Sequence, residues 1–246
     1  MWHQREGRCF RLIRVNIKES ETGTGESDLY SYKELKERHR AERDDYPQSL
    51  SLRVHRALSW LDRAERETKD ADARFIFLWV AFNAAYANNL EDREGMGEQS
   101  LFREFLTRLV DSDKDQRFYM LLWDRYASDV RLFVDNEFVY KQFWDCQNGL
   151  ISEEAWKTSF DKSKAAFNKS LAAQNADTML SILFQRLYVL RNQLIHGGAT
   201  WNGKVNRSQV ESGAAILGDI VPVVISLMMD HPKQLWGDPI YPVVES

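Results

Sequence analysis

The stretch FIFLWVAFNAAY, residues 75–86, sets one amide, Asn83, among aromatic and aliphatic side chains. Apolar residues occupy every side of a helix drawn through it, the pattern of a helix surrounded by other helices rather than lying on a surface. The spacing predicts a central helix over residues 72–88. The apolar run from Phe75 to Ala87 is too short to span a bilayer, so the interior of the protein is its expected place. Asn83 must then find hydrogen-bond partners there. A satisfied core amide is the plainer reading, and a side chain lining a site is the alternative.

On the N-terminal side, Leu50, Val54, Ala57, Leu58, Leu61 and Ala64 recur at three- and four-residue steps and predict a first core helix from about Ser49. Residues 1–48 read as an extension. Gly-Thr-Gly-Glu-Ser at 23–27 is a loop signal, and 33–45 is a dense run of mixed charge. Arg5, Arg8, Arg11, Arg14 and Lys18 stand among Phe10, Leu12, Ile13, Val15 and Ile17. A short strand or an RNA-touching arm fits that mixture, with a solvated, loosely packed arm the plainer reading.

On the C-terminal side, the glycine-punctuated linker NLEDREGMGEQ leads to a helix with Leu101, Phe102, Phe105, Leu106 and Leu109 on one face, then to a longer one through FYMLLWDRYASDV. The aromatic stretch 132–144 carries Phe133, Phe138, Tyr140, Phe143 and Trp144; inter-helix packing is its plainer reading, and a stacking platform for bases the sharper one. Residues 154–173 predict a polar helix whose Lys157, Lys162, Lys164 and Lys169 face solvent. The next helix starts at Asn175 or Asp177 and carries the stripe Met179, Leu180, Leu183, Leu187, Leu190 and Leu194, with Gly197 as its stop. Ser208 to Glu211 has the form of a capping box before AAILGDIVPVVISLMM, a final helix expected to kink at Pro222. Without alternating strands, the class is all-α: a single bundle of about five to seven helices over residues 49–232, with a tail at 233–246.

Composition narrows the function classes. The 246 residues are 43% hydrophobic and carry a formal charge of -4, enough apolar surface for a core and no general attraction for polyanions. Any nucleic acid must be met by a local basic patch. Cys9 and Cys146 lie far apart and form neither a disulfide framework nor a zinc motif, and the charged N-terminus is unlike a signal peptide. A soluble cytoplasmic protein without membrane attachment is expected. His3, His39, His55, His196 and His231 lack metal-ligand spacing, and no phosphate-binding loop, dinucleotide fingerprint or nucleophile elbow is present, so neither metal nor cofactor is expected.

What remains is LRNQLIHGG, residues 190–198, at the end of the penultimate long helix. Asn192 and His196 are one turn apart on one face, so Asn192 is placed to orient the imidazole or hold substrate beside it. Arg191 projects from the neighbouring flank, where it can bracket a phosphate across the helix end. An arginine to offset phosphate charge and a histidine to move protons are a minimal kit for cleaving RNA through its own 2′-hydroxyl. The plainer reading gives Arg191 a salt bridge, leaves Asn192 and Gln193 in solvent and has His196 cap carbonyls.

Arg191-Asn192-Gln193-Leu194-Ile195-His196, so placed in an all-α chain, resembles the HEPN superfamily signature of an arginine, a polar neighbour and a histidine after a few intervening positions. The resemblance covers about residues 49–232 and includes FLWVAFNAAY. It implies a helical bundle that forms a homodimer with the two motifs in one cleft, and a metal-independent endoribonuclease acting on RNA in toxin-antitoxin or antiviral settings, with a cognate antitoxin protein as a further partner. Arg191 would bind phosphate, His196 would be the acid-base group and Asn192 would position it. The family also contains noncatalytic members that bind a partner protein or a nucleotide, which is the alternative function.

Overall fold

The computed structural model describes residues 30–86 and 98–234, with Trp236, Gly237, Pro239 and Tyr241 beyond them; these residues form ten α-helices and no strand. The basic arm at 5–18, the loop at 23–27, Cys9 and most of the 89–99 linker lie outside the described residues. The helices are α1 (Tyr32–Glu42), α2 (Gln48–Glu65), α3 (Ala71–Tyr86), α4 (Glu98–Ser112), α5 (Arg117–Met120), α6 (Ala127–Val134), α7 (Lys141–Gln147), α8 (Glu153–Ala172), α9 (Ala176–Ile195) and α10 (Arg207–Asp230).

The number exceeds the expected five to seven for two physical reasons. The charged run at 33–45 is mostly helix α1, begun by a capping box between Ser31 and Glu34 and docked on α2 and α10 through buried Leu35 and His39. The expected long helix through 118–130 is broken. Residues 121–125 take a π turn in which the Tyr126 N–H reaches back to the Leu121 carbonyl, while the Tyr126 hydroxyl is held by Asp219 at 2.7 Å. The tertiary bond to α10 thus sits at the point where the helical register changes.

The predicted apolar face of α2 is buried in full: Leu50, Val54, Ala57, Leu58, Leu61 and Ala64 pack against α3 and α10. Arg53 is buried with them and donates to the Ala85 carbonyl at 2.8 Å, closing the C-terminal end of α3. α3 itself is less enclosed than its composition predicts. Phe75, Leu78, Trp79 and Phe82 are buried, but Ile76, Phe77, Val80 and Asn83 are only half-buried, so Asn83 is not the deeply buried core amide expected.

The most enclosed helix is α10, in which every residue from Ile220 to Met229 is buried. It is long and apolar enough to cross a membrane, yet 89% of its most apolar window is buried inside the protein. Gly213 permits its close approach to α3: a Cβ there would stand 2.9 Å from the Phe75 ring. The expected Ser208–Glu211 capping box does not form. The helix begins earlier, from Asn206 in a left-handed conformation, because Asn206 is bonded to Gln193 and Arg207 to Asp72 and Gly203.

Candidate functional site

α9 is started by Asn175, whose side chain accepts the Thr178 N–H at 3.0 Å, and it runs with Met179, Leu180, Leu183, Leu187 and Leu190 buried. Its last turn rises out of the core: Arg191 to Leu194 are half-buried, and Ile195, His196 and Gly197 are exposed. Gly197 has φ 71°, a left-handed turn that a Cβ would strain, and the chain leaves the helix there. Arg191, Asn192 and His196 are thereby brought to one exposed helix end.

The local bonding differs from both sequence readings. Arg191 forms no salt bridge among the described residues; its Nη1 donates to Asn192 Oδ1 at 2.9 Å, and its buried Nε has no partner. Asn192 therefore holds the guanidinium, not the imidazole it was expected to orient. The His196 backbone N–H bonds the Asn192 carbonyl at 3.0 Å, while its ring is exposed and makes no hydrogen bond to described residues. Gln193, expected in solvent, is a bracket: it donates to the Phe138 carbonyl at 2.7 Å and accepts from Asn206 at 3.0 Å.

The connection from His196 to Asn206 is pinned to the start of α3. The Trp201 indole donates to Asp70 at 2.7 Å, the Asn202 N–H to Asp72 at 3.2 Å, and Arg207 Nη2 to both Asp72 oxygens at 2.8 and 2.7 Å. Asp70 also accepts the Ala73 N–H, and these donors, Ala73 first, hold its carboxyl below the usual aspartate range. Sequence reasoning missed Asp70 and Asp72 as anchors. Two aspartates at a helix start read as ordinary first-turn acids, and only the fold brings residues 201–207 against them.

Four large apolar side chains stay exposed on α9 and in the loop after it: Tyr188 and Ile195 on α9 are each 45% exposed, and Trp201 and Val205 in the loop 75%. The aromatic stretch 132–144 divides. Phe133 and Tyr140 are buried, whereas Phe138 and Trp144 stay partly exposed beside the site, the Trp144 indole sharing the Phe138 carbonyl with Gln193. Tyr140 serves a cation: the buried guanidinium of Arg186 lies 4.2 Å from its ring centre and 5.4 Å from that of Phe160, with Ser163 as its hydrogen-bond acceptor at 3.1 Å. Burial without an acid pushes Arg186 down to about 10. Of the α8 lysines, Lys157 pairs with Glu153 and Lys164 with Asp135, and their contacts keep them on α8 and its neighbours rather than at this site.

This helix end carries a half-buried guanidinium with no carboxylate partner among the described residues and, five residues on, an exposed imidazole. Uncompensated positive charge attracts an anionic group. No family model, curated protein or solved structure matches this chain.

Proposed function

We propose that the chain is a metal-independent endoribonuclease of HEPN type, cutting RNA by attack of the 2′-hydroxyl on the adjoining phosphate. One observation carries the reading: Arg191 has no counter-ion among the described residues and keeps a buried, unpartnered Nε on the last turns of the helix that ends at the exposed His196. In this reading Arg191 offsets charge on the phosphate, Asn192 fixes the guanidinium, and His196 exchanges protons with the attacking and leaving oxygens. A single arginine-histidine pair is sparse, so a two-fold homodimer is expected to bring two copies together, with the apolar rim of Tyr188, Ile195, Trp201 and Val205 at the contact. A cytoplasmic toxin-antitoxin or antiviral setting, with a cognate antitoxin protein, belongs to the same proposal.

The test is cleavage of a labelled RNA in excess EDTA. Products ending in 2′,3′-cyclic phosphate are expected, with activity falling by about 10²-fold or more in His196→Ala and no cutting where the cleavage position is 2′-deoxy. Products with 3′-hydroxyl and 5′-phosphate ends, formed only with added magnesium, refute it. The same apolar rim favours a second reading, a noncatalytic module that docks a partner protein. Binding of a partner without cleavage, unaffected by His196→Ala, selects that one.

A further inference from the structure

The acidic balance of the chain conceals a local concentration of positive charge where α1 crosses α2. Lys36, Arg40 and Arg43 follow one another along one side of α1 and the turn after it, at helical steps of four and three residues. Lys36 Nζ lies 3.3 Å from His55 Nδ1 on α2, and Arg56 is the next residue on that helix. Burial, with the nearby Arg40 and Arg43, holds Lys36 below the usual lysine range. Burial likewise lowers His55, with Lys36, Arg43 and Arg56 adding to it. Arg40 and Arg43 therefore oppose the charge on Lys36, and Lys36, Arg43 and Arg56 oppose a proton on His55, whose ring contacts the Lys36 amine.

Neutralisation by the described residues is slight. Lys36, Arg40 and Arg56 form no ion pair among the described residues, and Arg43 has only the almost fully exposed Asp44 at 3.8 Å. Arg56 donates to the Tyr241 carbonyl at 2.6 Å, a neutral acceptor that leaves its charge unmatched. Glu37 and Asp45 flank the cations in sequence. Asp62, which does act on Lys36, is already held by Arg66. By contrast, Glu42 and Asp230 on the far side of α1 are occupied by Arg38.

One turn beyond Arg56 on α2 stands Trp60, 40% exposed. One face of its indole stacks on Phe77 of α3 at 5.9 Å between ring centres, and Arg63 covers Phe77 at 4.4 Å. The ring is held on that face and is partly open to solvent. Unneutralised cations beside a braced, exposed aromatic ring are what a single-stranded nucleic acid needs: charge for successive phosphates and a flat surface for a base. A duplex offers the phosphates but keeps its bases stacked on each other.

We propose that the α1–α2 face formed by Lys36, Arg40, Arg43, His55, Arg56 and Trp60 binds single-stranded nucleic acid, with Trp60 stacking on a base and the cations following the phosphate backbone. This face stands apart from Arg191 and His196 in the residues that build it, and the inference does not rest on cleavage chemistry.

The experiment measures fluorescence anisotropy of two short labelled probes, a single-stranded 2′-O-methyl RNA, which 2′-hydroxyl attack cannot cut, and single-stranded DNA of the same sequence. Both bind by the shared chemistry; tighter binding of the RNA probe identifies RNA as the occupant, and equal binding leaves either strand able to occupy the face. Trp60→Ala is expected to weaken binding about tenfold or more, while Trp60→Phe restores most of it. Arg40→Glu, or the milder Arg40→Gln should the first fail to melt cooperatively, is expected to weaken binding. It should also make the salt dependence shallower, by about 0.7 in log–log slope for each phosphate that is no longer neutralised. Lys162→Glu with Lys169→Glu, on the outer side of α8, is expected to change neither quantity. Absence of binding to both probes overturns the proposal, as does wild-type binding by the Trp60→Ala and Arg40 variants. Equal affinity for anionic lipid vesicles, insensitive to Trp60→Ala, also overturns it. His196→Ala is measured beside them: unchanged binding is expected, and its cleavage result bears only on the endoribonuclease reading.

Discussion

Arg186 and Arg191 lie on one helix, and their surroundings separate a structural cation from a candidate functional one. Arg186 is sealed between two aromatic rings with a single hydroxyl acceptor, and no anion reaches it without displacing α8. Arg191 is half-exposed, held by its neighbour and otherwise uncompensated among the described residues. A buried cation without an acid carries a desolvation penalty that its ring contacts only partly offset. Arg186→Met, which keeps the length and removes the charge, is therefore expected to leave the thermal unfolding midpoint unchanged or higher. A fall of several degrees in that midpoint would show that the cation–ring contacts outweigh the penalty. The motif itself was legible because arginine, asparagine and histidine interrupt an apolar stripe. Its bonding was not, since Asn192 is equally able by spacing to serve His196 or Arg191.

Among the elements, the α9–α10 connection shows how a site on a helix end is kept in place by a helix distant in sequence. Residues 201–207 hang on Asp70 and Asp72 at the start of α3, and Gln193 closes the same loop from the α9 side. Asp72→Asn keeps the shape but loses the charged pair with Arg207. Unfolding free energy is expected to drop by about 1.5–3 kcal/mol, the worth of hydrogen bonds to charged groups. Limited proteolysis is expected to cut within 197–206 sooner than in the parent protein, and RNA cleavage to fall without a change in product ends. Unchanged proteolysis in the folded variant would show that the loop is held by other contacts.

For the whole molecule, the junction of α1 with α2 makes stability depend on pH. His39 is buried, its Nδ1 has no partner, and its Nε2 meets Ser51 at 3.3 Å. Burial first, then Lys36, His55 and Arg43, lower its proton affinity below the ordinary histidine value of 6.5. The unfolded chain takes up a proton near that value while the native protein refuses it, so stability is full above about pH 6.5 and falls as the pH drops towards the lowered native value. His55, lowered in the same sense, adds to the slope. Carboxylates such as Glu42 and Asp70, with lowered values of their own, act only in more acid solution. Calorimetry of the parent protein between about pH 7 and 5 is expected to show a falling midpoint, and His39→Phe to flatten it. A parallel fall in both proteins would assign the effect elsewhere.

The sequence by itself determined that the chain is helical, which faces of α2, α4 and α9 are apolar, where α8 and α9 begin, and where α9 stops. Each follows from periodicity, a capping side chain or a glycine, and all of these act within one or two turns of the residue concerned. Only the tertiary structure decided the rest, because it depends on contacts between residues far apart in the chain. Composition makes α3 the central helix, but α10 is the one enclosed, since Gly213 lets it settle against Phe75. The helix through 118–130 looks continuous until Tyr126 is drawn to Asp219. A net charge of -4 gives no hint of the cations that α1 and α2 gather, because a sum over the chain carries no information about which residues the fold makes neighbours.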